Sequence, residues 1–371
     1  MSYSDTTGDE EADIWDAFDE AVERAEQQLE LAWENHEIVQ QTDDPLSEEY
    51  VSALTKLEET TQGFDSVYEV TDSELERAER AVINAEFLAT VTHAYREYHE
   101  SVIGRRVSVV RKWFDTLASC VEDTEVAVSQ SSLQRQMQAL AKLTDAGKYG
   151  QLLDSERIEL ADIESRVRDF DRAVQEEVSA ESYVTTGLGI AESFQEQYMD
   201  DLAELVQEGV DRDAISITER VSDVPELEAI ATRFDENSTV SEDVDAIANV
   251  VETYADVAVL TGKRRAKYEL GEKLITAVED SPISDGTDVE KDLRLRLNSF
   301  QLEPIENLVK QFVERETTIS DAERLLKLLE KHDGSVRQAV QSIDQPTEEL
   351  FEDLHGLFLQ DEIVDLEVRF E

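Results

Sequence analysis

The sequence predicts a mainly all-α protein built from long antiparallel helices in bundle or coiled-coil-like packing. Apolar residues recur at spacings of three and four over long stretches, which places them on one side of a helix. Aromatic residues are few, 7% of the chain against 40% hydrophobic residues in all, and this favours slender helical packing. No proline interrupts the longest periodic stretch, residues 71–114.

Residues 71–114 are predicted to form a central spine helix. Thr71 and Glu74 have the spacing of a capping box, in which the threonine side chain accepts from the backbone N–H three residues on. The apolar stripe of this helix consists of Leu75, Ala78, Val82, Ala85, Leu88, Ala89, Tyr95, Tyr98 and Val102. Only Gly104 weakens the helical pattern.

The remaining segments follow from breaks in the pattern. We predict a disordered lead at 1–11, a helical pair at 12–66, a central bundle with the spine at 67–182, a second helical region at 183–280, a linker at 281–291 and a C-terminal unit at 292–371. The linker contains SPISDGT, rich in turn-forming residues. Residues 183–190 (YVTTGLGI) have the least helical pattern of the middle. A heptad seam is formed by Leu160, Ile163, Val167, Phe170 and Val174.

Two parts of the chain echo each other. Gly104-Arg105-Arg106 followed by LASCVED resembles Gly262-Lys263-Arg264 followed by LITAVED. Such a match indicates either a worn duplication of one helical module or a chance similarity between acidic helices.

The charge balance is extreme. The formal net charge is -54, from 88 acidic and 34 basic residues, which is more than solubility requires. Disorder is one interpretation of such a charge, but the numerous periodic apolar residues exclude it for most of the chain. At 1 M salt the Debye length is about 3 Å, so repulsion between surface acids is suppressed. Acid excess with few lysines resembles the cytoplasmic proteins of halophilic archaea, and this resemblance rests on composition alone.

The sequence lacks the features of secreted and membrane-spanning proteins. Cys120 is the only cysteine, so an intrachain disulfide is excluded, and its apolar neighbours predict a small buried hydrophobe. No apolar run approaches the ~20 residues of a membrane span. The first residues are acidic and polar, unlike a secretory signal. We therefore expect a cytoplasmic protein.

The C-terminal unit combines short helices with one strand. Ser320 and Glu323 form a second capping box, and alternation of apolar and charged residues over 364–370 predicts a half-buried strand. The order of elements over 320–370 resembles a winged-helix domain, and a helical hairpin with a terminal strand is the alternative. The helix expected to read DNA would expose Glu348, Glu349, Glu352 and Asp353, which repel phosphates, so this surface favours a protein partner.

Two basic clusters are the candidate contact residues for a polyanion or a partner. They are Arg105, Arg106, Arg111 and Lys112 in the first, and Lys263, Arg264, Arg265 and Lys267 in the second. The alternative is that these cations neutralise neighbouring acids or pair with an acidic helix of another subunit.

Enzyme and metal motifs are missing from the sequence. There is no phosphate-binding loop and no nucleophile elbow, and Gly187 and Gly189 lack the third glycine of a dinucleotide loop. His93 and Glu97 lie one helical turn apart and could share a metal. Glu352 and His355 have the Glu-x-x-His spacing of di-iron bundles, but such a site needs two of these pairs and two more glutamates, and only one pair is present. We predict no catalytic residue, no cofactor and no metal.

These observations favour a non-catalytic scaffold or adaptor in a cytoplasmic complex, with a protein partner or self-association and no membrane contact. The alternative is a nucleic-acid-associated regulator that uses the basic clusters, 105–112 and 263–267, and the C-terminal unit. Convergence of the clusters on one exposed face would favour nucleic acid, and scattering among acids would favour the scaffold.

Overall fold

A computed structural model describes residues 7–42, 45–68, 70–121, 131–145, 160–211, 227, 229, 232, 240–280, 289–311 and 313. Its helices are α1 Thr7–Val39, α2 Glu48–Phe64, α3 Asp72–Cys120, α4 Ser131–Asp145, α5 Leu160–Glu177, α6 Ala180–Gln207, α7 Val240–Asp280 and α8 Val289–Asn298, followed by helical residues at 303–311. These residues contain no strand, so the all-α prediction is confirmed for them. The predicted winged-helix-like unit, 320–370, and most of the predicted linker lie outside the described residues.

Helix α3 is the predicted spine. It has 49 residues and is therefore about 73 Å long at 1.5 Å per residue. The Thr71 hydroxyl accepts from the Glu74 backbone N–H at 3.3 Å, as the capping box predicts. Most of the predicted stripe is buried, namely Ala78, Val82, Ala85, Leu88, Ala89 and Tyr98. A helix of this length exceeds its neighbours, so different helices cover its two halves.

The N-terminal half of α3 packs against α1 and α2. Helix α1 lies parallel to α3 and helix α2 lies antiparallel to both. The contacts that set these directions are Arg24 with Glu86 at 2.5 Å and Arg96 with Asn35 at 3.2 Å for α1, and Tyr50 with Tyr95 and Phe64 with Arg77 for α2. Helix α1 begins at Thr7, earlier than the predicted end of the disordered lead.

The C-terminal half of α3 is covered by α5, α6 and α7. Helix α5 runs parallel to α3, whereas α6 and α7 run antiparallel to it and parallel to each other. For α5 the direction follows from the contacts of Arg106 with Glu164 and of Trp113 with Asp171. For α6 it follows from Trp113 with Phe194 and Cys120 with Thr186. For α7 it follows from Arg105 with Gly262 and Glu97 with Lys273. Parallel pairs therefore accompany antiparallel ones, and the finer prediction of an antiparallel bundle is not confirmed.

The prediction that residues 183–190 are poorly helical was wrong, because they lie inside α6. A Cβ on Gly187 would lie 2.9 Å from Ile247 on α7. Glycine in a helix costs about 1 kcal/mol relative to alanine, and here its absent side chain allows α6 and α7 to approach. The low helical propensity is thus offset by a tertiary contact.

The arrangement of helices repeats within the chain. Helix α1 lies parallel to the long α3, with Arg24 opposite Glu86, and α6 lies parallel to the long α7, with Gly187 opposite Ile247. The two long helices cross antiparallel where Arg105 meets Gly262, two positions that belong to the echoed sequence. This shared geometry is what the duplication of one helical module would produce.

Candidate functional site

The crossing of α3, α6 and α7 is built around one glycine. A Cβ on Gly262 would lie 2.5 Å from Nε of Arg105, so only glycine lets the arginine side chain pass over α7. Arg105 then reaches α6, where it donates to both carboxylate oxygens of Asp201 at 2.6 and 2.7 Å. Both contacts come from the same nitrogen, Nη2, and a hydrogen bond between a guanidinium and a carboxylate is strong because both partners are charged.

Asp201 is the centre of this crossing. It is 1% exposed, and it also accepts from the Thr261 hydroxyl at 3.2 Å and lies 3.5 Å from Nη1 of Arg265. Burial raises the pKa of the Asp201 carboxyl, and the Arg105 guanidinium opposes that rise. The carboxylate therefore joins three helices through two guanidiniums and one hydroxyl. We call Arg105, Asp201, Thr261 and Arg265 the crossing network.

The outer side of the crossing network is an open groove of about 370 Å³. Small residues form its walls, namely Ser101, Gly104, Ser108, Gly262 and Ala266. At its rim Arg265 also pairs with Glu204 at 2.6 Å and with Glu269 at 3.1 Å. A second groove of about 400 Å³ shares Gly104 and Ser108 and is bordered by Arg111 and Lys112. The carboxylates around Arg265 leave little free positive charge in the first groove.

The predicted contact residues fall into several environments. Arg105 and Arg265 from the two clusters meet, but they meet on a buried acid. The other arginines also have protein neighbours: Arg106 makes a bidentate pair with Glu164 at 2.9 Å, Arg111 lies 3.7 Å from Asp115 and Arg264 lies over the Phe300 ring. Lys112 and Lys263 are exposed and Lys267 is half-buried, and none of these lysines forms an ion pair with a described residue.

Two buried carboxylates were missed by the sequence analysis. Asp201 is one. Asp171 on α5 is the other, and it accepts from the Tyr183 hydroxyl at 2.8 Å and from the Trp113 indole N–H at 3.1 Å. Burial raises the pKa of the Asp171 carboxyl, and within the described residues it has no cationic partner.

A signal for both buried acids exists in the sequence. Asp171 lies four residues after Val167 and three before Val174, and Asp201 lies three residues after Tyr198 and four before Leu205. Each aspartate therefore occupies an apolar-face position of its helix. An acid at such a position indicates a buried, hydrogen-bonded carboxylate.

The metal candidate is a surface pair. His93 Nε2 lies 3.7 Å from Glu97, and both side chains are exposed. Within the described ranges, no group of three histidine, cysteine or acidic side chains is placed to hold a metal ion. Glu352 and His355 lie outside those ranges. Among the helices that can be described, none combines the length and the apolar character needed to cross a membrane.

Comparisons with protein-family models, with curated proteins and with solved structures found no match for this chain. Its function must therefore be argued from its own residues.

Proposed function

We propose that the protein is a non-catalytic helical scaffold or adaptor that mediates protein–protein interaction. The observation that carries this proposal is the pairing of two cluster arginines with acids on other helices: Nη2 of Arg105 donates to Asp201, and Arg106 makes a bidentate pair with Glu164. A guanidinium whose fork is already held by a carboxylate must give up that pair before it can hold a phosphate in the same way. Arg105 and Arg106 thus act between helices.

The shape of the molecule also supports a scaffold. Helix α3 alone extends over about 73 Å and offers a long surface on which partners can assemble. Both grooves beside the crossing network are open, and the arginines at their rims are paired with acids. A catalytic site is more often an enclosed, mostly apolar pocket with a few convergent polar groups.

The setting of this scaffold is part of the proposal. The net charge of -54 supports a protein that works in the cytoplasm of a salt-accumulating cell, where surface repulsion is screened. The coiled-coil-like packing and the winged-helix-like unit at 320–370 would then add interfaces to the helical body, the latter through its acidic helix. Nothing in this setting requires a cofactor.

A nucleic-acid-associated regulator is the second candidate. Lys112, Lys263 and Lys267 favour it, since no acid among the described residues pairs with them. Lys112 also borders the second groove. These three lysines are only part of the two basic clusters predicted from the sequence. Each phosphate contact contributes separately to the affinity for nucleic acid and to its salt dependence.

The test is purification of the native protein from its own cells at about 1 M KCl, with and without nuclease. We expect a defined protein partner, in constant ratio to the chain, that survives nuclease. Recovery of nucleic acid, with loss of every protein partner after nuclease, would refute the scaffold and support the regulator. Recovery of the chain alone would also count against the scaffold.

A further inference from the structure

Helix α6 has an apolar stripe on its outer side. Its buried side faces α3 and α7, yet Met199 is 49% exposed and Val206 is 47% exposed. These residues are seven positions apart, so they lie on one line along the helix. Leu202, between them, is partly buried. Contiguous exposed apolar surface is a mark of interaction sites, whereas apolar residues scattered singly are normal.

A further exposed apolar residue lies on α8, near the end of α6. Leu295 is 65% exposed and lies one turn before Asn298. Asn298 meets the end of α6, because its backbone oxygen accepts from the Asp211 N–H at 2.8 Å and its amide nitrogen lies beside Gly209. Val206 lies one turn before Gly209, so the apolar residues of α6 and α8 flank the same junction.

A column of acids runs along α6 beside this stripe. Glu192, Glu196 and Asp200 are spaced at four residues, all three are exposed, and none has an ion pair with a described residue. Like charges at this spacing repel each other and destabilise a helix by some tenths of a kcal/mol per pair. Elsewhere the acids near the arginines of α3 and α7 are paired. The column is therefore an unneutralised charge next to an exposed apolar line.

We propose that this surface, Met199, Val206 and Leu295 with the column Glu192, Glu196 and Asp200, docks a cationic amphipathic helix of a partner protein. The inference rests on the scaffold proposed above and names the chemistry of its partner. Apolar side chains of the partner cover the stripe, and its Lys or Arg residues pair with the column. This is the helix-on-helix mode of recognition, with anchors at helical spacing.

Charge argues against a second copy of the chain as the occupant. In an isologous dimer the same patch faces itself, so the two columns would meet, and each copy carries a net charge of -54. A cationic helix removes the repulsion within the column instead. At about 1 M salt only charges in direct contact still attract, because the Debye length is about 3 Å, and the apolar stripe then supplies most of the affinity.

The test uses the full-length chain and a labelled synthetic peptide about 18 residues long, with Leu at helical spacing and Lys elsewhere. Its controls are the same peptide with Glu in place of Lys and one with the same composition in scrambled order. The protein variants are Met199→Ser with Val206→Ser, and as matched control Leu31→Ser, because Leu31 on α1 is also 47% exposed. Circular dichroism checks that each variant is folded.

We expect the Lys peptide to bind, and the double variant to weaken binding by about tenfold for each apolar side chain removed. Leu31→Ser should leave the affinity unchanged. Neutralising Glu192, Glu196 and Asp200 to amides should lower the affinity and flatten its salt dependence. No binding by the wild type, equal binding by the Glu or scrambled peptide, or equal binding by the double variant would each overturn the proposal.

Self-association is tested by light scattering on the same samples. A dimer that the double variant abolishes would make a second copy the occupant and overturn the proposal. The scaffold can fail separately: if the native protein partner still co-purifies with the double variant, the docking surface is wrong and the scaffold stands. If the peptide behaves as expected but no protein co-purifies with the native chain, the scaffold is wrong.

Discussion

Replacing Asp201 with asparagine removes one charge from the crossing network while keeping the shape of the side chain. The carboxylate is 1% exposed and balances Arg105 on α3 and Arg265 on α7. Removing one partner of a buried pair typically costs about 3–5 kcal/mol, because the other charge is left uncompensated. The Arg105 side chain retains 21% exposure and that of Arg265 41%, so water relieves part of this cost. Asparagine also avoids the desolvation cost that raises the pKa of Asp201. We therefore expect Asp201→Asn to lower the free energy of unfolding by roughly 1–2 kcal/mol.

The assay is urea unfolding followed by far-ultraviolet circular dichroism, in which a shifted midpoint at constant slope reports stability. Glu204→Gln is the matched control. Glu204 pairs with the same Arg265 at 2.6 Å but is half exposed, so its loss should cost under about 1 kcal/mol and should fade as salt rises. The Asp201 effect should persist, since buried pairs are screened far less. Equal costs for the two variants, or a gain in stability from Asp201→Asn, would refute this account of the crossing network.

The other predictions concern packing, pH and salt. Gly187→Ala should destabilise the protein by about 1–3 kcal/mol in urea unfolding, because its Cβ would lie 2.9 Å from Ile247. Gly189→Ala should instead stabilise it by up to about 1 kcal/mol, because its Cβ would have no atom within 4 Å. The reverse order of stabilities would place the close approach of the helices elsewhere. Burial raises the pKa of Asp171, so the folded state binds its proton more tightly than the unfolded state does. The stability that this proton contributes is present below the ordinary pKa of 3.8 and is lost as pH rises through the raised pKa. We therefore expect the stability of Asp171→Asn relative to wild type to increase with pH when unfolding is measured across that window. A difference that does not change with pH would contradict the burial argument. Lowering KCl from about 1 M to about 0.1 M lengthens the Debye length from about 3 to about 10 Å, so the melting temperature should fall, and a rise would contradict an acidic surface adapted to salt.

Local sequence signals were sufficient to predict α3. The Thr71 cap and the three-and-four spacing of the stripe depend only on neighbours in the chain. Residues 183–190 were mispredicted because what decides their helix is the contact of Gly187 with Ile247 on another helix. A pattern read along one helix contains no information about how closely the next helix approaches.

The crossing network was beyond sequence reasoning for a related physical reason. Arg105 was a candidate contact residue for a polyanion or a partner, with neutralisation of neighbouring acids as the alternative. The acid that it pairs with, Asp201, lies 96 residues away among carboxylates that look alike in the sequence. Only the position of Asp201 on an apolar face distinguishes it, and that position predicts burial without naming the partner. The cluster residues were therefore found, but the carboxylate on which Arg105 and Arg265 meet was not.

The distribution of cations connects the interior of the molecule with its surface. The chain has only 34 basic residues for 88 acids, and among the described residues Arg105 and Arg106 pair with acids of other helices while mostly shielded from solvent. Arg106 shows why arginine suits such a site, because two nitrogens of its planar fork hold Glu164, which an ammonium cannot do. Cations held between helices are unavailable to exposed acids such as Glu192, Glu196 and Asp200, so the column on α6 stays negative. A molecule that neutralises this column must supply its own lysines or arginines. A partner helix that also has an apolar face covers the apolar stripe and neutralises the column in one contact.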